Sequence, residues 1–169
     1  ERAAGRYSSL RGRVEGARKK NYLAGNRSEK LWQYLYMFEF MSELPTFFNQ
    51  SLYFKLHSQG VFSSGEITSA ELYSLGGART LRGYRENQFR GERISYLNME
   101  YRFGSESRIF VFDDLGSFYR DNDGWKVKNG FGFGIRSVSR VGTVEFSFGM
   151  TGDLSLDEAR IHVSLIETF

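Results

Sequence analysis

Leu31–Glu43 reads L-W-Q-Y-L-Y-M-F-E-F-M-S-E. One parity carries Trp32, Tyr34, Tyr36, Phe38 and Phe40, and the other carries Leu31, Gln33, Leu35, Met37, Glu39 and Met41. Strict alternation marks a β-strand, because successive side chains leave opposite faces of the pleat, and here one face is an aromatic ladder. The pattern continues downstream. Phe48, Gln50, Leu52, Phe54 and Leu56 alternate with Asn49, Ser51, Tyr53, Lys55 and His57. Leu97, Met99, Tyr101 and Phe103 alternate with Tyr96, Asn98, Glu100 and Arg102. Phe131, Phe133 and Ile135 interleave with Gly130, Gly132, Gly134 and Arg136, and Val144, Phe146, Phe148 and Met150 with Thr143, Glu145, Ser147 and Gly149. The chain ends on Ile161, Val163, Leu165 and Phe169 against Arg160, His162, Ser164 and Thr168. Eight strands are predicted, at about 5–18, 31–43, 47–59, 92–103, 108–120, 125–138, 142–150 and 159–169. Several exceed the roughly 5 to 6 residues usual in soluble sheets and approach the roughly 9 to 11 of a membrane β-strand.

Composition narrows the classes. The 169 residues contain no cysteine, which excludes a disulfide scaffold and cysteine-ligated zinc or iron–sulfur sites. With 40% hydrophobic and 17% aromatic residues, disorder is excluded as well. A membrane helix needs roughly 20 mainly apolar residues, whereas the longest charge-free run, Leu44–Phe54, includes Pro45, Asn49 and Gln50. Spanning by strands stays open. The net charge of +3 is uneven: the first thirty residues are basic and the rest nearly balanced. Such a segment is not a nucleic-acid footprint spread over a domain. The lack of a signal peptide at Glu1 is what a mature form or a fragment would show.

The connections add a second regularity. With the C-terminus on the inner side, the inner turns are short: Leu44–Thr46, Gly104–Ser107 and Ser139–Val141. The outer ones include Lys19–Lys30, Gly60–Gly91 and Thr151–Glu158, with only Asp121–Gly124 tight. Short inner turns, long external loops, an even strand count and apolar-out, polar-in alternation describe an antiparallel outer-membrane β-barrel. A soluble β-barrel binding module, with its aromatic ladders turned inward, and a small structural or pore-forming barrel are the alternatives.

The external loop supplies a motif: Gly76-Gly77, Leu81-Arg82-Gly83-Tyr84, Gly91 and then a strand, followed by Asn98–Phe103 and Phe112-Asp113-Asp114-Leu115-Gly116. In order and spacing these resemble the sixth external loop, with its (V/L)RG(F/Y) signature, and the following strands of the BamA/TamA outer-membrane insertase superfamily (bacterial surface antigen family). Ile161, Val163, Leu165 and Phe169 are similar to the C-terminal β-signal of that family. The resemblance covers essentially the whole chain, with three strands before the loop and five after it. It implies the ninth to sixteenth strands of a 16-stranded barrel. The implied plan is a single half-barrel domain over 1–169 with a long external loop at 60–91 and no POTRA domain. An eight-stranded lumen is just filled by side chains. An infolded loop therefore requires a fragment of a larger barrel, a homodimer or completion by another half-barrel; otherwise the loop stays outside.

The resemblance also implies that Arg82 is a lumenal cation paired with Glu100 and Asp114. A guanidinium offers a rigid fork to carboxylates, and a poorly solvated charge needs a partner. Gly83 would permit a tight backbone turn, and Tyr84 would pack on the wall. Glu100 has the polar parity of its strand; Asp114 occupies the acidic position of the D-x-G motif and leaves Asp113 pointing outward. The implied function is insertion, assembly or translocation of proteins at a bacterial or organellar outer membrane. Substrate strands would be added at a weakly closed seam. The expected partners are outer-membrane lipid and unfolded outer-membrane proteins. Arg18, Lys19, Lys20 and Arg27 are candidates to meet lipopolysaccharide phosphates.

Other motifs read as structure. Gly130–Gly134 imitates a phosphate loop, but no helix signal follows; inward glycines making room for a packed loop fit better. Asp121–Gly124 reads as a turn rather than a calcium loop, and His57 and His162 read as lumen-wall residues. No nucleophile, base and orienter set is visible, so neither an enzyme nor a cofactor or metal site is expected.

Overall fold

The computed structural model describes residues 7–23, 27–140, 142–153 and 156–166. Most of the described chain is strand: β1 (Tyr7–Leu23), β2 (Arg27–Pro45), β3 (Gln50–Ser63), β4 (Tyr73–Leu75), β5 (Phe89–Gly91), β6 (Arg93–Phe103), β7 (Arg108–Arg120), β8 (Gly124–Ser139), β9 (Gly142–Thr151) and β10 (Arg160–Ile166). Eight of them form one antiparallel sheet in the order β1-β2-β3-β6-β7-β8-β9-β10. The short hairpin β4–β5 lies within the connection from β3 to β6. Among the described residues no helix is long and apolar enough to cross a membrane, which says nothing of strands.

The two faces of the sheet differ as the alternation requires. Trp32, Tyr34, Phe38, Leu56, Phe103, Ile109, Val111, Leu115, Phe133, Ile135, Phe146, Ile161, Val163 and Leu165 are exposed on one face. Gln33, Asn98, Glu100, Arg102, Asp114, Ser147 and His162 are buried on the other. Exposed apolar bulk over a whole sheet face suits a lipid-facing surface, since soluble monomers rarely show such contiguous patches. The compact apolar cluster lies between the inner face and the β3–β6 connection: Leu75, Leu81 and Tyr84 of the loop meet Ile94, Tyr96 and Phe118 of the wall. Thus the loop packs against the inner face of the sheet instead of remaining outside.

Several expectations are corrected. β1 and β2 outrun their predicted ends, so the connection expected over Lys19–Lys30 is mostly ladder, with Arg18 opposite Trp32 and Lys19 opposite Leu31. Backbone pairing continues there although both faces have turned polar, which hides the strand from a hydrophobic pattern. The first inner turn shifts from Leu44–Thr46 to 46–49. It is closed by Thr46 N donating to Gln50 O at 2.9 Å, and Asn49, which tolerates the left-handed region, takes φ 57°. The aromatics are less one-sided than the ladders imply, because Tyr96, Phe110, Phe112 and Phe118 are buried inward beneath the loop. The wall makes room for Phe110 and Phe112 by presenting Gly134 and Gly132 opposite them. The eight-stranded antiparallel sheet itself is as expected of barrel strands, and it is open: among the described residues β1 and β10 share no ladder. Phe169 of the terminal signal lies outside the described residues.

Candidate functional site: a loop latched to the inner wall

The connection between β3 and β6 is built from local bonds before it meets the wall. A 3₁₀ turn at Ser69–Glu71 starts it. Gly76 and Gly77, with φ 118° and 103°, then reverse the chain, and Gly77 and Leu81 exchange backbone bonds of 3.0 and 3.2 Å. Gly76 N donates to Thr80 Oγ1 at 2.9 Å, and Ala78 N donates to Glu86 Oε1 at 2.8 Å. This turn delivers Leu81, Arg82, Gly83 and Tyr84 to the sheet as a buried run.

Arg82 is 3% exposed and bonded on every side. Its Nε donates to Asp114 Oδ2 at 2.8 Å and its Nη2 to Asp114 Oδ1 at 2.7 Å, a bidentate fork, and its backbone N reaches Oδ2 at 2.9 Å. Nη1 donates to Glu100 Oε1 at 2.7 Å. The guanidinium also lies 3.7 Å from the ring centroid of Phe112. Burial works against the charge, but the Asp114 and Glu100 carboxylates prevail and hold the group above its ordinary pKa. Asp114 is completely buried and receives a further bond from Asn98 Nδ2 at 2.7 Å; the same amide reaches Thr80 O at 2.9 Å.

The network continues along the wall. Arg102 donates to Glu100 Oε2 at 2.8 Å and to Glu43 Oε2 at 2.7 Å, while Ser51 Oγ donates to Glu43 Oε1 at 2.6 Å. Asp114, Arg82, Glu100, Arg102 and Glu43 therefore alternate in sign from β7 through the loop to β6 and β2. Nothing in the spacing of Glu43 or Arg102 announces this, since it depends on the register through β3.

Gly83 and Tyr84 complete the seat. Gly83 adopts φ 91°, a conformation other residues resist, and its N donates to His162 Nε2 of β10 at 3.2 Å. The Tyr84 hydroxyl donates to Asn129 O at 3.0 Å. Beneath them the wall is glycine. A Cβ on Gly130 would collide with Arg82 O, and one on Gly149 would lie 2.5 Å from Gly83 N. Asp113 is exposed on the outward face with the ladder register unbroken, and Asn129 Nδ2 donates to its Oδ1 at 2.5 Å.

The other candidates lie apart from this seat. Lys19 is drawn into a second tether: its Nζ meets Glu71 Oε1 at 2.7 Å, joined by Gln33 Nε2 at 2.9 Å, while Thr68 N and Oγ1 donate to Glu71 Oε2 at 2.9 and 2.8 Å. Arg18 stands over Trp32 at 5.4 Å; the side chain of Arg27 lies outside the described residues. His57 stacks on Tyr96 at 5.0 Å, with Nδ1 3.4 Å from Glu39 Oε2. Asp121–Gly124 forms the β7–β8 turn, where Asp123 N donates to Arg120 O at 3.0 Å. Ile161, Val163 and Leu165 lie exposed on the outward face of β10.

A long-stranded antiparallel sheet with an apolar outer face, a charged inner face and an arginine-latched loop on the latter defines a class, the wall of an outer-membrane β-barrel. Within that class, the family model of haemolysin secretion/activation proteins (ShlB/FhaC/HecB) matches residues 3–137. The chain belongs to this family, one of bacterial outer-membrane secretion barrels. A search of curated proteins found no match. The BamA/TamA kinship implied by the loop motif is finer than the family match, which identifies a secretion/activation family.

Proposed function

We propose that this chain forms part of the wall and the lumenal latch of an outer-membrane translocation barrel, through which the loop at 64–92 controls polypeptide passage. The carrying observation is Arg82, at once buried, forked onto Asp114 and bonded to Glu100. A loop held only for packing needs no such charge, and a buried charge that loses its partner is strongly destabilising. The role is non-enzymatic. It acts by occupying or vacating a passage, and its partners are an exported polypeptide and membrane lipid.

A second reading, insertion of β-barrel proteins in the BamA/TamA manner, is favoured by one observation. The outer edge of β10 carries no ladder partner among the described residues, so a substrate strand could pair there. Completion by a second copy or another half-barrel would use the same edge.

The test is a charge exchange in the full-length protein. Arg82→Glu should abolish secretion of the cognate polypeptide, or open a constitutive conductance in planar bilayers, and Glu100→Arg should behave alike. The double exchange should recover part of the function. Wild-type secretion and conductance in both single variants, with the barrel folded, would remove the latch from the mechanism.

A further inference from the structure

One outward rung of the sheet crosses five strands: Tyr36 of β2 lies opposite Gly60 of β3, Gly60 opposite Arg93 of β6, Arg93 opposite Tyr119 of β7, and Tyr119 opposite Trp125 of β8. Directly opposed residues of an antiparallel ladder share a face. Arg93 therefore projects with Leu97 and Met99 onto the apolar outer surface, at the loop end of β6. Its guanidinium carbon sits 3.7 Å from the Tyr119 ring centroid, 5.0 Å from Phe62 and 5.6 Å from Trp125. These rings are packed in turn, Tyr36 on Phe62 at 5.9 Å and Tyr119 on Trp125 at 5.4 Å. Gly60 leaves the space that the cage needs: a Cβ there would lie 2.5 Å from Arg93 Cγ and 2.6 Å from Tyr36.

Among the described residues no carboxylate forms an ion pair with Arg93, and its Nε is buried without a hydrogen-bond partner. Arg82 and Arg102, which face the lumen, are by contrast fully paired within the protein. An arginine on a lipid-facing surface is tolerated near the interface and costly at the midplane, and aromatic girdles mark the interface. There the bilayer itself offers the counter-ion, and a planar fork matches phosphate geometry. The recess beside Phe62 and Arg93, about 660 Å³, also carries the carboxylates of Glu66, Glu92 and Asp121. Their charge opposes any anion inside the recess, which leaves the phosphate at the Arg93 fork on its rim, while the carboxylates accept hydroxyl donors within it. We infer that Arg93, caged by Phe62, Tyr119 and Trp125, binds the phosphate of a phosphorylated glycolipid in the outer leaflet, with the sugar hydroxyls turned to the recess.

The inference rests on the outer-membrane reading, and the experiment separates the two. The full-length protein is reconstituted in phosphatidylcholine vesicles alone, with lipopolysaccharide, with enzymatically dephosphorylated lipopolysaccharide, or with phosphatidylglycerol, and its thermal unfolding midpoint is followed by circular dichroism. Lipopolysaccharide should raise the midpoint of the wild type, and the dephosphorylated form and phosphatidylglycerol should not. Arg93→Gln should lose that rise, measured from the variant's own midpoint in phosphatidylcholine, and bind lipopolysaccharide about tenfold more weakly. Arg93→Lys, which keeps the charge without the fork, should retain part of the rise and serves as the comparison should Arg93→Gln not fold. A full rise in both variants, or an equal rise with dephosphorylated lipopolysaccharide, would overturn the site. An equal rise with phosphatidylglycerol would overturn the glycolipid assignment. Failure of the wild type to enter any vesicle would instead strike the outer-membrane reading.

Discussion

Arg82 and Glu71 tether the same loop by different means. Arg82 is sealed between two carboxylates and keeps its charge at any ordinary pH. Glu71 lies at the loop's start, partly open to water. Burial alone would raise its pKa, but the Lys19, Gln33 and Thr68 bonds outweigh burial and bring it down to about 2 from an ordinary 4.5. A depressed carboxylate contributes stability that is complete above its unfolded pKa and lost as pH falls toward the folded one. The loop's first turn should therefore loosen between about pH 4.5 and 2. Hydrogen exchange of residues 64–72 against pH should show the step in the wild type, and Glu71→Gln should remove its pH dependence while the Arg82 seat stays protected.

At the level of elements, the fit of β8 and β9 to the loop is made by what those strands lack. Gly130 and Gly149 let the main chain of Arg82 and Gly83 approach the sheet more closely than any side chain permits. Gly130→Ala should unseat the loop at a cost of about 1–3 kcal/mol, the range expected of overpacking. Gly12→Ala in β1, where a Cβ meets nothing within 4 Å, should be silent. Trypsin cleavage after Arg82, which the seated loop buries, reads the difference. The inward glycines of β8 and the parity of Glu100 were legible from alternation, because a period of two sorts faces without knowledge of the fold; Asp114 was legible only through the D-x-G motif of the family the chain resembles. The length of the β1–β2 hairpin and the Glu43–Arg102 pair were not. A polar strand has no amphipathic signal, and Glu43 reaches Arg102 only through a register set by an intervening strand.

For the whole molecule, the governing contrast is between an apolar outer face and a charged inner one, each fixed by the same alternation. Leu115 lies next to the midpoint of β7, 44% exposed on the outer face. Leu115→Arg should destabilise the protein in bilayers by about 2–4 kcal/mol if that rung sits at the midplane, and much less in detergent, whose headgroups can approach the charge. Denaturant midpoints in the two media measure this. Equal losses in both would mean that the face is not lipid-bound. The family match and the sheet agree on an outer-membrane barrel, while the finer choice between export and insertion turns on the loop and the edge of β10.

The glycine seat under Arg82 has a kinetic consequence. Main chain pressed on main chain, closed by a forked ion pair, has no shallow intermediate: lifting the loop by an ångström breaks the Asp114 and Glu100 bonds together while water is still excluded. Closely packed contacts of this kind switch rather than deform. The passage beside such a loop should thus show two discrete conductance levels separated by abrupt steps, with dwell times governed by Arg82, rather than a graded opening.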